Sequence, residues 1–136
     1  MAKTPVRLTL TWDHDLAFRA QLPDGRELLT DGNGARGFSP VDLLAAAIAG
    51  CMAADIVHIL RKGRQPIAGL RTTLEGRRAE SDPHRFVQVT IAFVASGAVD
   101  PRQLGRAVQL SRDVYCSVWN SLRTDIILET STRVEP

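Results

Sequence analysis

Two cysteines are the residues whose chemistry depends most on how the chain folds. Cys51 and Cys116 lie far apart in the sequence, and the chain of 136 residues contains no others. Two cysteines are too few for a disulfide scaffold, so in a reducing compartment they are either unreactive or a working redox pair. In a redox pair, a Cys51 thiolate would attack a peroxide O–O bond to give a sulfenic acid, and Cys116 would condense with it to a disulfide.

The surroundings of Cys51 are apolar. The stretch from Leu43 to Ala54 carries no polar side chain. Alanines lie on both sides of the cysteine, and Gly50 lies directly before it. This run is shorter than the ~20 residues that cross a bilayer, so it predicts a buried core helix. Apolar surroundings favour an organic hydroperoxide over hydrogen peroxide as a substrate. The structural alternative is that Cys51 merely packs as a small hydrophobic residue.

Other chemistries at Cys51 have weaker support. Asp55 and His58 share a helix face with Cys51, as in a catalytic relay, but seven residues of helix separate Cys51 from His58 by ~10 Å. Without a base in reach, a thiol hydrolase or transferase ranks last. The histidines at 14, 58 and 84 show no clustered ligand spacing with the cysteines, so we predict no metal site.

A reactive Cys51 needs a cation to stabilise its thiolate. The cysteine lies about three helical turns beyond Pro40, where the helix dipole no longer acts. An arginine from another segment must therefore supply the charge. Arg36, in the loop before the helix, and Arg19, in an earlier strand, are the candidates, and for each the alternative is a solvated surface side chain.

The first half of the chain predicts three strands and a long helix. Alternating apolar residues in Val6–Trp12 and Leu16–Leu22, followed by a third segment at Arg26–Thr30, indicate an antiparallel meander. A glycine-rich loop then leads to a helix from Pro40 to Lys62. Gly63 follows, where a left-handed cap would end the helix.

The second half predicts a hairpin, a helix and a strand. Alternation at Leu70–Glu75 and again around Phe86–Phe93 indicates a long hairpin. Asp100 and Pro101 open a second helix, with Gln103 placed for a capping box, and Cys116 stands at the end of its apolar stripe. A closing strand around Ile126–Thr130 completes the order βββ-α-ββ-α-β, a single α+β domain over residues 1–136.

Composition limits the partners of the chain. The net charge is +2, and the scattered arginines lack interleaved aromatic residues, which argues against nucleic-acid binding. The first residues contain no apolar signal core, so we expect a cytoplasmic protein that does not bind membranes. A chain of this size cannot easily cover a helix that is apolar on every side. We therefore expect a homodimer with the Cys51 helix at its interface.

Several short motifs together resemble one known family. They are Asp31-Gly32, Ser39-Pro40 with Asp42 close behind, Gly50-Cys51, Asp55-Ile56-Val57, and Tyr115-Cys116-Ser117-Val118. Together they resemble the OsmC/Ohr family of osmotically inducible and organic hydroperoxide resistance proteins, over essentially the whole chain. The last motif looks most like the OsmC-like branch of that family.

The resemblance implies both a fold and an activity. It implies an intertwined homodimer with central buried helices between sheets and two active sites at the interface. It also implies a cysteine-based peroxidase in which Cys51 attacks the peroxide and Cys116 resolves the intermediate. Electrons would come from lipoyl proteins or other thiols, with no metal or nucleotide cofactor.

One position departs from the family pattern. Characterised peroxidases of the family have a glutamate directly after the helix-opening proline, and it pairs with a catalytic arginine. Here that position is Val41, and the carboxylate of Asp42 lies one residue on, about 100° around the helix. Arg36 or Arg19 would be its arginine partner. Two hypotheses follow: an organic hydroperoxide peroxidase, or a non-enzymatic stress-associated protein that binds a hydrophobic small molecule in the dimer pocket.

Overall fold

The computed structural model describes residues 3–136 of the chain, which form two compact units that meet in sequence between Leu44 and Ala45. The elements follow the predicted order βββ-α-ββ-α-β. They are β1 (Thr9–His14), β2 (Ala17–Gln21), β3 (Glu27–Asp31), α1 (Pro40–Lys62), β4 (Ile67–Arg78), β5 (Phe86–Gly97), α2 (Pro101–Leu110) and β6 (Ile127–Glu135). The α+β class is confirmed. The predicted single domain and the homodimer remain predictions.

The first unit contains a three-stranded antiparallel sheet in the order β1-β2-β3, which confirms the meander. Between β2 and β3 the chain turns at Gly25, whose φ of 95° lies in the region that glycine tolerates best. The N–H of Leu22 donates to the carbonyl oxygen of Arg26 at 2.8 Å and closes this turn. β1 begins at Thr9, three residues later than the alternation starting at Val6 predicts.

α1 has well-defined ends. At its start the Ser39 N–H donates to Asp42 Oδ2 at 3.0 Å, and the Asp42 N–H donates to Ser39 Oγ at 3.1 Å, a reciprocal capping box. At its end the left-handed residue is Arg64, with φ of 60°, so the prediction of Gly63 in that position was wrong. The N–H of Gln65 donates to the Leu60 oxygen at 2.8 Å, as in a Schellman motif.

One stripe of α1 is buried within the chain. Ile48, Met52, Ile56 and Leu60 repeat every fourth residue, and each is at most 1% exposed. The full helix is long and apolar enough to cross a membrane, with a mean hydropathy of 2.1 over its most apolar 18-residue window, of which 22% is buried in the single chain. The expectation that α1 is buried on all sides is therefore not met within one chain. Ala46, Ala47, Gly50 and Ala54 are exposed.

The second unit contains a three-stranded sheet in the order β4-β5-β6. β4 and β5 form the predicted long hairpin, and β6 pairs with β5 in parallel, in a register that aligns Ile91 with Thr130. A parallel pair requires a crossover connection, and α2 lies in it. The central strand β5 supplies most of the buried side chains of this sheet, which are Phe86, Val89, Ile91, Phe93 and Ala95.

α2 begins with a side-chain cap and ends in a widened turn. The Asp100 carboxylate accepts a 2.9 Å hydrogen bond from the Arg102 N–H. The Asp100 N–H donates to Gln65 Oε1 at 2.9 Å, so the capping box predicted for Gln103 does not form there. After Leu110 the backbone continues as one π-helical turn, Ser111–Tyr115, immediately before Cys116.

Candidate functional site

The structure brings the two cysteines together. The Sγ atoms of Cys51 and Cys116 and a carboxylate oxygen of Asp55 all lie within 4.8 Å of one another. Cys51 and Asp55 are four residues apart on α1, so they occupy the same helix face. Cys51 is half-buried, whereas Cys116 is fully buried. The more accessible of the two thiols is therefore the one on the helix.

The π-helical turn fixes the position of Cys116. The Cys116 N–H donates to the carbonyl oxygen of Ser111 at 2.8 Å, a bond that spans five residues instead of the four of an α-helix. This wider turn holds an additional residue, and the chain leaves it in extended conformation at Cys116. Such turns are frequent at functional sites, because they redirect the side chains that follow.

The environment of Cys116 keeps its thiol protonated. Burial raises the pKa of Cys116 from 9.0 to about 11, and the neighbouring Cys51 side chain adds to the increase. The backbone N–H of Trp119 donates to Cys116 Sγ at 3.2 Å and opposes this effect only in part. The Asn120 side chain donates to the Cys116 carbonyl oxygen at 2.8 Å and anchors the backbone beside the thiol.

Asp55 is held in place by a buried hydroxyl group. Ser111, which is 0% exposed, donates from Oγ to Asp55 Oδ2 at 2.8 Å. The same serine accepts the Cys116 N–H through its carbonyl oxygen. Ser111 therefore links the carboxylate on α1 to the backbone that carries the second thiol.

The cluster contains side chains that can also bind a metal. Thiolate and carboxylate groups are zinc ligands, and a zinc site has four ligands or three protein ligands and water. Among the described residues three such groups meet, from Cys51, Asp55 and Cys116, and their approach alone does not make them metal ligands. Ligand spacing in the sequence does not reveal this group, because only the fold brings the three residues together.

Arg36 lies in a loop that is organised by Asp31. The Asp31 carboxylate accepts hydrogen bonds from the backbone N–H of Asn33 at 2.9 Å and of Arg36 at 3.1 Å. The bond from Asn33 is the largest cause of a lowered pKa at Asp31, because these donors favour the charged form. The Arg36 guanidinium contacts the imidazole of His14 in the same unit.

The other predicted site residues lie on regular elements. Arg19 is exposed on β2, opposite Thr11 and Leu29 in the sheet. Asp42 is engaged in the capping box of α1. Nine residues of helix separate it from Cys51 by about 13 Å along the axis, so Asp42 would act on that thiol only through a third group.

Two members of the site were missed in the sequence. In the sequence Asp55 stands in the possible relay with His58 and in the family motif Asp55-Ile56-Val57, without a role beside the two thiols, and Ser111 stands in none of the motifs. The four-residue spacing of Cys51 and Asp55 on a helix was the available signal for the first. No signal in the sequence marks Ser111, because its role depends on the π-helical turn.

The fold and the paired thiols define a small α+β protein with a two-cysteine site. The model of the family described as "OsmC-like protein" matches residues 31–131, and the chain belongs to this family. Protein YhfA of Escherichia coli strain K12 is 36% identical over 109 residues, which are 79% of this chain and 81% of YhfA.

Two solved structures share the fold of this chain. A hypothetical protein from Aquifex aeolicus superposes with a TM-score of 0.90 at 29% identity, over 98% of each chain. The organic hydroperoxide resistance protein OhrB of Bacillus subtilis superposes with a TM-score of 0.64 at 18% identity, over 97% of this chain and 98% of its own. At that identity the likeness to OhrB is one of fold.

Proposed function

We propose that the protein is a cysteine-based thiol peroxidase that reduces organic hydroperoxides, with Cys51 as the attacking thiol and Cys116 as the resolving thiol. The observation that carries the proposal is the approach of the two Sγ atoms to within 4.8 Å. A disulfide requires about 2.05 Å between the sulfur atoms, so side-chain movement of at most about 3 Å would join them.

The proposed reaction has three steps. The Cys51 thiolate attacks the distal oxygen of a hydroperoxide, so that an S–O bond forms, the O–O bond breaks, and the alkoxide takes up a proton to leave as an alcohol. Cys116 then attacks the Cys51 sulfenic acid, the S–S bond forms and water leaves. A dithiol or two thiols finally reduce the disulfide and are themselves oxidised.

The different exposures of the two thiols support these roles. Cys51 is half-buried and so remains open to a substrate, whereas Cys116 is fully buried. With a pKa of about 11, Cys116 stays a neutral thiol at pH 7. A neutral thiol does not itself attack the peroxide, which suits a residue that reacts only after Cys51 has formed its sulfenic acid. The apolar residues around Cys51 on α1 favour an organic hydroperoxide.

The proposal assigns the cation at Cys51 to Arg36, with Arg19 as the alternative. Arg36 belongs to the ordered loop that leads directly into α1, and Asp31 fixes its backbone. Asp42 would orient this arginine, as the resemblance to the family implies. Arg36→Gln should slow sulfenic acid formation, whereas Arg26→Gln, whose guanidinium is bound to Asp24 at 2.8 Å, is the matched control.

A homodimer is part of the proposal. α1 leaves an apolar face uncovered in the single chain, and a second copy of α1 would cover it. The cytoplasm, where lipoyl proteins and low-molecular-weight thiols are available as reductants, is the proposed location.

Titration with cumene hydroperoxide tests the peroxidase function. The reduced wild-type protein should lose two free thiols per chain and form a disulfide between Cys51 and Cys116, detectable by mass spectrometry. Cys51→Ser should consume no hydroperoxide. Cys116→Ser should accumulate a sulfenic acid that dimedone traps, and should complete one turnover only.

A binding role without chemistry is the alternative. A protein that only binds a hydrophobic small molecule would retain both free thiols and yield no dimedone adduct under the same conditions. Unchanged hydroperoxide consumption in Cys51→Ser would also contradict the proposed function.

A further inference from the structure

The three-step reaction leaves one member of the cluster without a role. Asp55 places a carboxylate oxygen within 4.8 Å of both Sγ atoms, on the same face of α1 as Cys51. A carboxylate beside two thiols opposes their negative charge, so it does not serve to activate Cys51. Its position therefore requires another explanation.

The carboxylate is fixed, not merely nearby. Ser111 is fully buried and donates to Asp55 Oδ2 at 2.8 Å, which leaves the remaining lone pairs of the carboxylate free to accept a proton. The backbone of Ser111 also receives the Cys116 N–H at 2.8 Å. One residue thus sets the separation between the carboxylate and the second thiol.

Resolution is the step that needs a proton acceptor. A neutral thiol is a poor nucleophile, and burial makes Cys116 retain its proton at pH 7. The hydrogen bond that Cys116 Sγ receives comes from the N–H of Trp119, which is a donor and cannot take a proton. The titratable groups of residues 45–136 that meet at this point are Cys51 and Asp55 on α1 and Cys116 after the π-helical turn.

We propose that Asp55 is the catalytic base of the resolving step and that Ser111 is its positioning residue. As Cys116 Sγ attacks Cys51 Sγ, the S–S bond forms and the S–O bond of the sulfenic acid breaks. The Cys116 proton passes to the Asp55 carboxylate and from there to the departing hydroxide, which leaves as water. Asp55 returns to its ionised form, so the step needs no further reactant.

This inference rests on the proposed peroxidase function, and a single-turnover experiment separates the two. Reduced protein is mixed with one equivalent of cumene hydroperoxide. Dimedone adducts measure sulfenic acid formation, and disulfide content measures resolution. Asp55→Asn keeps the shape of the side chain and removes the base.

In Asp55→Asn, sulfenic acid should form no more slowly than in the wild type, because the carboxylate opposes the charge of the Cys51 thiolate. Disulfide formation should slow by about 100-fold or more, in the range of general base catalysis. The residual rate should increase about tenfold per pH unit towards pH 11, because only the ionised fraction of Cys116 then reacts. The wild-type rate should depend on pH less steeply than that of Asp55→Asn over the same range. Asp55→Glu should restore part of the rate.

Two further variants complete the test. Ser111→Ala should slow resolution about 3- to 10-fold, the effect of losing one hydrogen bond, and provides the measurement if Asp55→Asn does not fold. Asp113→Asn changes an exposed carboxylate in the π-helical turn and should resolve at the wild-type rate. If Asp55→Asn forms the disulfide at the wild-type rate and with the wild-type pH profile, the role of Asp55 is contradicted and the peroxidase function is not. The same result in Ser111→Ala has this meaning if that variant is the one measured. A wild-type protein that forms no sulfenic acid would overturn the proposed function with it.

Discussion

The backbone N–H of Trp119 points at the sulfur of Cys116, 3.2 Å away, from the first residue of a short 3₁₀ turn (Trp119–Ser121). A thiol sulfur is a weak acceptor, and the bond gives the N–H of the half-buried Trp119 a partner. It also fixes the side-chain direction of Cys116. Cys116 is therefore held by two hydrogen bonds, one from its own N–H to the preceding Ser111 and one to its sulfur from the following Trp119.

The reduced protein should lose stability in alkaline solution because of Cys116. The folded chain binds the Cys116 proton more tightly than the unfolded chain, whose thiol has a pKa near 9.0. Stability is fully present below pH 9 and decreases as the pH rises towards about 11, by at most about 1.4 kcal/mol per pH unit.

Urea unfolding under reducing conditions at pH 8, 9 and 10 measures this effect. The difference in unfolding free energy between wild type and Cys116→Ala should shrink as the pH increases. Ser117→Ala, an exposed neighbour, should retain the wild-type pH dependence. A pH-independent difference for Cys116→Ala would contradict the prediction.

Asp31 should control the order of the loop that carries Arg36. Its ionised carboxylate accepts the N–H groups of Asn33 and Arg36, and an amide at this position keeps only one acceptor oxygen. Asp31→Asn should therefore speed hydrogen exchange at whichever of the two amides then faces the NH2 group and loses its acceptor. Asp24→Asn, in the exposed turn between β2 and β3, is the control. If the loop amides exchange equally slowly in Asp31→Asn and in the wild type, this role of Asp31 is contradicted.

Gly97 at the end of β5 should not tolerate a side chain. Its φ is 105°, and an added Cβ would lie 2.9 Å from the Ala68 nitrogen and even closer to the Pro66 oxygen. Both are backbone atoms, so we expect Gly97→Ala to destabilise the fold by about 2 kcal/mol or more.

Gly105→Ala is the matched control for Gly97→Ala. A Cβ at Gly105 in α2 meets nothing within 4 Å, and alanine favours a helix over glycine by about 1 kcal/mol. Thermal unfolding of both variants should therefore shift in opposite directions. If Gly97→Ala unfolds at the wild-type temperature, the backbone at the end of β5 adjusts to the added Cβ and the prediction is contradicted.

Gly50 should report on the proposed dimer. Gly50 is exposed, and a Cβ at this position meets nothing within 4 Å among the described residues, so we expect one chain by itself to accommodate a larger side chain. If a second α1 packs here, Gly50→Leu should block the close approach and release monomers.

Light scattering after gel filtration measures this result. Arg106→Leu, an equally exposed change on α2, should leave the dimer intact. An unaltered dimer in Gly50→Leu would place the interface elsewhere.

The elements of the fold could be predicted because each has a local signal. Alternation marks the strands, and Ser39 and Pro40 mark the start of α1. The parallel pairing of β6 with β5 could not be predicted, since alternation sets which face a side chain occupies and not which neighbour the strand joins. Arg64 could replace Gly63 as the left-handed residue because the Schellman bonds compensate for its conformation.

The site was predictable only in its thiols. The sequence indicated that Cys51 and Cys116 could work together, but their proximity depends on tertiary contacts between α1 and the segment after α2. Asp55 had its four-residue spacing from Cys51 as a signal and Ser111 had none, and the contact between the two arises only from the tertiary fold.

The hydrogen bond from the Cys116 N–H to the Ser111 carbonyl oxygen requires a fixed number of residues between these two positions. Each residue added to or removed from a helical turn rotates whatever follows by about 100°. One insertion or deletion between Ser111 and Cys116 would therefore turn Cys116 Sγ away from Cys51, although every side chain of the cluster would still be present. The approach of the two thiols therefore depends on the number of residues between Ser111 and Cys116, which is four. A graft of this segment into another scaffold must preserve that number.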